Sequence, residues 1–115
     1  MVVSGSAAVT RSAPRAFNRP ASDAIARECA GCDVLLHEVY SAVAIPKMPA
    51  QMQRYLPTAH TSTYELAEIA AKAKPKLLVL YHQLYLGGAS DDDLVREIRS
   101  RYNGRVVSAH DLDVY

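Results

Sequence analysis

The chain has 115 residues, a formal net charge of +1 at pH 7 and hydrophobic residues at 50% of its positions. This length allows one domain with a modest core, which is small for an enzyme. The balanced charge argues against a nucleic-acid partner, because such proteins carry a broad basic surface. The longest apolar run, residues 77–81, has the length of a strand and not of a membrane span, so we expect no membrane association.

The N-terminal segment differs in composition from the rest of the chain. No acidic residue precedes Asp23, and residues 6–19 contain four alanines and three arginines. A transit peptide has this composition, and so does a disordered insertion. Residues 1–5, MVVSG, have the pattern of a strand. We therefore predict an atypical segment, disordered or inserted, over residues 1–19 and a domain portion over residues 20–115.

From Pro20 onward, helical and strand patterns alternate along the chain. The predicted helices cover residues 21–30, a short stretch at 50–55, residues 63–74 and residues 91–102. The predicted strands cover residues 33–38, 76–82 and 105–109. Strands that alternate with helices predict an α/β fold with a mostly parallel sheet flanked by helices.

Capping residues mark the ends of these helices. Ser22 is the expected N-cap of the first helix. Ser62 precedes the helix of residues 63–74, and Glu65 three positions later completes a capping box. Ser90 precedes three aspartates, residues 91–93, whose charges compensate the helix dipole, and Gly104 is the expected end of that helix.

The motif CAGC, at residues 29–32, raises the possibility of redox chemistry. A reactive thiolate is expected at a helix N-terminus, whereas here Cys29 ends a helical stretch and Cys32 opens a strand, with Gly31 between them. We therefore predict two buried structural thiols in a reducing compartment, the cytoplasm. The redox alternative requires that Cys29 react faster with alkylating agents than a free thiol does.

Three of the four histidines lie where ligands bind in parallel sheets. His37 and Glu38 come at the carboxyl end of one predicted strand, His82 comes at that of the next, and His60 lies in the loop that leads from this edge into a helix. Ligands bind at the carboxyl edge of such sheets. A lone histidine is usually structural, but three at one edge predict a functional rim.

His60 stands just before the positive end of a capped helix, in the sequence PTAHTSTYELAEI. An imidazolium is disfavoured at that position by the helix dipole. A neutral histidine beside free backbone N–H groups suits a site that handles an anionic or oxyanionic group.

Each remaining candidate has an ordinary structural interpretation. His82 is the best metal-ligand candidate, or it simply ends a strand in solvent. His37 and Glu38 could form an acid/base element, orient another side chain, or be an ordinary polar strand end. His110 and Asp111 follow the last strand near the C-terminus, where a surface position is the simpler interpretation.

The segments DVLLHEVY, HTST and KLLVLYH, in this order and spacing, resemble the C-terminal part of metallo-β-lactamase-fold hydrolases, particularly the branch of ribonuclease Z and arylsulfatase-like enzymes. The resemblance covers residues 32–115, including the ending GRVVSAHDLDVY. It implies a partial metallo-β-lactamase αββα fold, of which this chain supplies only the C-terminal half.

The same resemblance implies a role for several residues. His82 matches the last zinc ligand, His60 matches the histidine that protonates the leaving oxygen, and Glu38 matches the acid that supports His60. His37, Thr61 and Ser62 are expected to orient these groups or to contact the substrate. The implied chemistry is the attack of a water shared by two zinc ions on a phosphorus, sulfur or carbonyl centre.

The sequence departs from the family pattern in three places. No His-x-His-x-Asp-His segment is present, and Ser6 stands where the bridging aspartate is expected after VVSG, with Asp23 a poor substitute. The segment HQLYLGG lacks the Phe-Ser that follows the last ligand in ribonuclease Z, which argues against transfer-RNA processing. A catalytic zinc needs about three protein ligands, and only one is recognisable here.

Two hypotheses follow. In the first, the chain is a C-terminal fragment of a zinc hydrolase for a small-molecule ester; it is inactive alone and forms homo-oligomers through an exposed apolar sheet face. In the second, it is a non-enzymatic βαβ module for binding or association, derived from the same fold.

Overall fold

The computed structural model describes residues 7–9 and 19–109 of the chain, apart from the side chains of residues 7–9, 19–23 and 82. The helices and strands follow in the order β1 (Ala7–Val9), α1 (Arg19–Glu28), β2 (Val34–Tyr40), α2 (Ala50–Ala59), α3 (Thr63–Ala73), β3 (Leu77–Leu84), α4 (Asp91–Arg99) and β4 (Val106–Ser108). Two short 3₁₀ turns, Ile45–Lys47 and Leu86–Gly88, precede α2 and α4. The predicted strand at residues 1–5, His110 and Asp111 lie outside the described residues.

The four strands form one sheet in the order β1-β2-β3-β4, and every neighbouring pair is parallel. Parallel neighbours need crossover connections, which helices α1, α3 and α4 provide. The predicted α/β architecture with a parallel sheet flanked by helices is therefore confirmed. In the described part of the chain, no helix combines the length and the apolar content needed to cross a bilayer.

The main core lies between one face of the sheet and helices α1, α3 and α4. The sheet contributes the buried side chains Leu35, Val39, Leu78, Leu80 and Val106. Helix α3 packs against α1, α4 and β2 with its own buried apolar stripe, which includes Leu66 and Ile69. Full burial of each such leucine or isoleucine stabilises the fold by about 1.5–3 kcal/mol.

A second, smaller cluster holds α2 against the end of β2. It consists of Tyr40, Ala44, Met48 and Leu56, which are all buried. Because Leu56 is anchored in this cluster, α2 continues across Pro57 to Ala59 instead of ending near the predicted Tyr55. This extension brings the end of α2 directly to His60, whose backbone N–H donates to the carbonyl of Leu56 at 2.8 Å.

Two other predicted helix boundaries differ from the structure. Helix α1 begins at Arg19, so Ser22 lies inside the helix; Pro20 fits the first turn because its missing N–H is not needed there. Helix α4 ends at Arg99, and Gly104 does not cap it. Gly104 instead makes room for Tyr102, because a Cβ at this glycine would lie 2.0 Å from the Tyr102 hydroxyl oxygen.

Strands β2 and β3 are longer than predicted. They end at Tyr40 and Leu84, which pair with each other, so the ladder continues past the expected ends at Glu38 and His82. The backbone N–H of Tyr40 also donates to the carbonyl of Thr61 at 3.0 Å. Glu38 and His82 therefore lie within strands near their carboxyl ends, where the paired backbone holds them in place.

Cys29 and Cys32 lie between α1 and β2, and both are buried, with exposed fractions of 0% and 1%. The predicted burial is correct, but the two residues form a disulfide and are not free thiols. Gly31, with φ +68°, reverses the chain between them and donates its N–H to the carbonyl of Ala73 at 2.8 Å. The disulfide removes the cysteine-based reason for expecting a reducing compartment.

Candidate functional site

His60 and Glu38 form a hydrogen-bonded pair at the carboxyl edge of the sheet. Nδ1 of His60 lies 2.6 Å from Oε2 of Glu38. The Glu38 side chain is 7% exposed and that of His60 is 22% exposed, so the carboxylate is buried while the ring reaches the surface. Since a carboxylate only accepts, Nδ1 carries the proton, and Nε2 is the atom that can exchange a proton with a bound molecule.

The backbone around His60 fixes the position of its ring. His60 is the C-cap of α2 and has an extended backbone, and Ser62 two residues later is the N-cap of α3. The Ser62 side chain accepts from the N–H of Glu65 at 3.1 Å, as predicted for a cap. His60 is thus held between two helix ends, one turn before the N-terminus of α3.

Thr61 and Ser62 make their contacts within the protein. Thr61 is fully buried, and its carbonyl accepts from Tyr40 of β2. A backbone bridge joins Tyr40 to Ser62. These contacts tie the loop that carries His60 to the strand that carries Glu38, so the two catalytic candidates share one rigid support.

His37 lies apart from this pair. Its ring is fully buried, and Nδ1 lies 2.8 Å from the backbone oxygen of Glu38, not from the Glu38 carboxylate. Successive residues of a strand point to opposite faces, and its neighbours Leu35 and Val39 pack in the main core. His37 therefore belongs to the core side of β2, while Glu38 faces His60.

An irregularity in the sheet places His82 beside Glu38. His37 pairs with Leu80 and Val39 pairs with Gln83, so Glu38 of β2 lies opposite two residues of β3, Tyr81 and His82. Such a bulge changes the direction of side chains and is common next to active sites. The backbone of His82 thus lies one strand away from the residue that holds His60; the strand patterns predicted that these residues share one edge, but they did not predict the bulge.

Tyr55 is a neighbour of the pair that the sequence did not indicate. Its ring meets the His60 ring edge to face, with centroids 6.0 Å apart and an interplanar angle of 70°. Tyr55 is 51% exposed, although a large hydrophobic side chain is usually more buried. The extension of α2 across Pro57 brings Tyr55 close to His60. Because the sequence predicted a helix that ends at residue 55, it did not predict this ring contact.

A polar cluster occupies the same edge at the ends of β3 and β4. Asp91 accepts from the hydroxyls of Tyr85 and Ser108, and Gln83 donates to Ser108 at 2.7 Å. Burial and then the hydrogen bond to Asp91 raise the pKa of Tyr85 to about 12. Asp91, for which compensation of the helix dipole was the simplest prediction and a metal role the lesser alternative, therefore also joins α4 to both strands.

Asp93 caps the start of α4, a role beyond the dipole compensation predicted for the three aspartates. It forms a reciprocal capping box with Ser90. The bonds from Ser90 and the ion pair with Arg96 lower the pKa of the Asp93 carboxyl group.

The described residues do not form a zinc site by themselves. Among the residues whose side chains the structure describes, which do not include His82, no group of three or more histidine, cysteine, aspartate or glutamate side chains comes together in a way that could hold a metal ion. Nδ1 of His60 is bonded to Glu38, so this nitrogen is not free to bind a metal. The chemistry of the described part is that of a carboxylate–imidazole pair.

Neither a family model nor a curated protein sequence matches the chain. Among solved structures, the chain is similar to the metallo-β-lactamase-fold protein YhfI from Bacillus subtilis, with a TM-score of 0.57 and 22% sequence identity. The match covers 76% of this chain and 31% of YhfI, so the chain spans less than a third of the neighbour's length. The four-stranded parallel sheet and its helices are thus a part of the metallo-β-lactamase fold.

Proposed function

We propose that this chain is the C-terminal portion of a zinc-dependent hydrolase with the metallo-β-lactamase fold, acting on a small-molecule ester. The observation that carries the proposal is the bond of 2.6 Å between His60 and the buried Glu38 at the carboxyl edge of the sheet. This is where parallel sheets bind ligands, and the fold of the neighbour agrees with it.

In this proposal His60 is the general acid of the reaction. At rest the ring is neutral, with Nδ1–H bonded to Glu38; for the reaction Nε2 takes up a proton, and this proton is given to the leaving oxygen as its bond to phosphorus, sulfur or carbon breaks. Glu38 holds the ring in one orientation and stabilises its positive charge. A positioned acid of this kind accelerates a reaction by about 10²–10⁴-fold.

The described residues supply only the leaving-group side of the reaction. The two zinc ions that the resemblance implies need about three protein ligands each, and His82 is the one such ligand that we assign to this chain. We therefore propose that the chain alone is inactive and that the other ligands come from a His-x-His-x-Asp-His segment beyond it.

The substrate is proposed to be smaller than transfer RNA. The segment HQLYLGG departs from ribonuclease Z after the last ligand, and the net charge of +1 offers no broad basic surface. The exposed ring of Tyr55 beside His60 provides an apolar surface for an organic leaving group.

The second candidate function is a non-enzymatic module of the same fold. It is favoured by the donor set at the site, because the described side chains do not form a group of three metal ligands. A monodisperse chain that unfolds cooperatively without metal would favour this module, whereas self-association or poor stability would favour the hydrolase portion.

The test of the proposed function begins with zinc analysis of the purified chain and an assay with a chromogenic phosphodiester. We expect neither tightly bound zinc nor hydrolysis; two tightly bound zinc ions with hydrolysis would contradict the need for further ligands. The chain should then be joined to its upstream coding sequence. If that sequence encodes the missing ligands, His60→Ala should lower kcat by about 10²–10⁴-fold while zinc stays bound. An unchanged kcat would remove His60 from the mechanism.

A further inference from the structure

Glu97 of α4 is a buried acid that none of the sequence patterns assigned to a site. It is 8% exposed, and both of its carboxylate oxygens accept hydrogen bonds. The Ser41 hydroxyl donates to Oε2 at 2.6 Å, and the Thr63 hydroxyl donates to Oε1 at 2.7 Å. The backbone N–H of Val43 lies 3.4 Å from Oε1. Glu97 therefore bridges two chain segments that are far apart in sequence.

These two segments are the ones that carry the His60–Glu38 pair. Ser41 directly follows β2, three residues after Glu38, and Thr63 is the first residue of α3, three residues after His60. Each bridging hydroxyl also accepts a backbone N–H: Ser41 from Ala44 at 3.0 Å, and Thr63 from Ala42 at 3.1 Å. The carboxylate of Glu97 thus fixes the distance between the two supports of the pair.

Burial of a carboxylate to join two chain segments costs free energy. Its neighbours on the inner face of α4, Leu94 and Ile98, are fully buried in the main core, where an apolar side chain would suit position 97. Removal of a carboxylate from water costs several kcal/mol before its hydrogen bonds compensate. Apolar packing alone would not fix the lateral position of two loops as directional bonds do.

We infer that Glu97 is a positioning residue, which holds the end of β2 and the start of α3 in the register that lets Glu38 bond to Nδ1 of His60. This inference rests on the proposed function, since it assigns Glu97 to the support of the same proton-donating pair. Glu97 does not touch the reacting atoms; it acts through Ser41 and Thr63.

The test follows the ring N–H proton of His60 in the full chain by heteronuclear NMR with labelled histidine. In Glu97→Leu, which fills the space without accepting hydrogen bonds, this proton should exchange with water about tenfold faster, the factor that corresponds to one lost hydrogen bond. Glu97→Gln keeps acceptor oxygen and should preserve slow exchange. Glu68→Leu, on the exposed side of α3, is the matched control and should leave the signal unchanged.

A second variant covers the case in which Glu97→Leu does not fold. Thr63→Val removes one of the two hydroxyl donors, keeps the side-chain shape and leaves the Ser41 bond intact, and it should also accelerate exchange. Slow exchange in every folded variant of Glu97 and Thr63 would overturn the inference while leaving the pair itself intact. A wild-type ring signal that does not respond to Glu38→Ala would overturn both the inference and the proposed proton donor.

Discussion

The two edges of the sheet are held together in different ways. At the amino edge, nearby backbone groups close the structure: Lys76 donates its N–H to Cys32 and Leu77 donates to Asp33, beside the Cys29–Cys32 disulfide. The ion pair between Lys76 and Asp33 is exposed to solvent. Contacts of this kind are sufficient where an edge of the sheet only needs to be stable.

At the carboxyl edge, buried charged side chains, and not backbone groups alone, join the chain segments. Glu38 bonds to His60 across 22 positions, and Glu97 bonds to Thr63 and Ser41 across 34 and 56 positions. Such groups are costly to bury and contribute little net stability when an apolar residue could replace them. Their concentration at the edge where parallel sheets generally bind ligands supports the function proposed above.

The core between the two edges should have the largest influence on stability. Leu78 is fully buried, and Leu78→Ala should lower the free energy of unfolding by about 2–5 kcal/mol through lost contacts and a cavity. Urea denaturation measures this loss, and Val43→Ala, at a side chain that is 53% exposed, is the matched control.

If the edges belong to one cooperative unit, the fluorescence of the chain and the His60 ring signal should change at the same urea concentration. Separate transitions would show that the two edges unfold independently and do not belong to one cooperative domain.

Removal of the disulfide should affect the amino edge alone. The bond closes a short loop, so its reduction should lower the free energy of unfolding by about 2 kcal/mol at most. Thermal unfolding with and without a phosphine reductant measures the effect. The His60 ring signal should stay unchanged in the reduced, folded protein, and its loss there would show that the two edges are coupled.

Removal of the N-cap of α3 should lower the free energy of unfolding by a smaller amount, and it should act on the carboxyl edge. Ser62→Ala removes the bond to the Glu65 N–H and should cost about 1 kcal/mol. Ser90→Ala at the start of α4 should lower the free energy of unfolding by a similar amount, measured by urea denaturation. The two variants should differ in the exchange rate of the His60 ring proton, which only Ser62→Ala should raise. Equal exchange rates would show that the start of α3 does not support His60.

The smallest expected effect is the alkaline titration of Tyr85. Its folded pKa is raised to about 12, above the ordinary value of 10.0, so its stabilising contribution is complete below pH 10 and is lost as the pH rises towards 12. The side chain is half exposed, so solvent screening keeps the effect below about 1 kcal/mol. The slope of stability against pH in this range should be smaller in Tyr85→Phe. An identical slope in both proteins would show that the bond between Tyr85 and Asp91 does not couple the ionisation of Tyr85 to folding.

The sequence predicted the elements that follow local patterns. Apolar spacing and the Ser62 and Ser90 caps located α3 and α4 to within a few residues, and the alternation of strands and helices predicted the parallel sheet. The CAGC motif was placed correctly between helix and strand, but the predicted thiols are wrong, because thiols and a disulfide are equally compatible with that placement.

The fine structure of the site depends on contacts that no local pattern contains. The rule that ligands bind at the carboxyl edge of a parallel sheet predicted one rim with Glu38, His60 and His82. It placed His37 at this rim as well, because the predicted strand ended too early to show which face of the sheet each residue occupies. The bulge opposite Glu38, the continuation of α2 across Pro57 and the bonds of Glu97 arise from tertiary packing. Single-residue patterns could not show them.

The protonation state of the His60 ring in the full chain is the most direct test of the account. Heteronuclear NMR with labelled histidine distinguishes a neutral ring protonated at Nδ1 from one protonated at Nε2. We predict protonation at Nδ1 in the wild type, because Glu38 accepts that proton, and a shift towards protonation at Nε2 in Glu38→Ala. A wild-type ring that is protonated at Nε2, with no response to Glu38→Ala, would contradict the proposed acid pair.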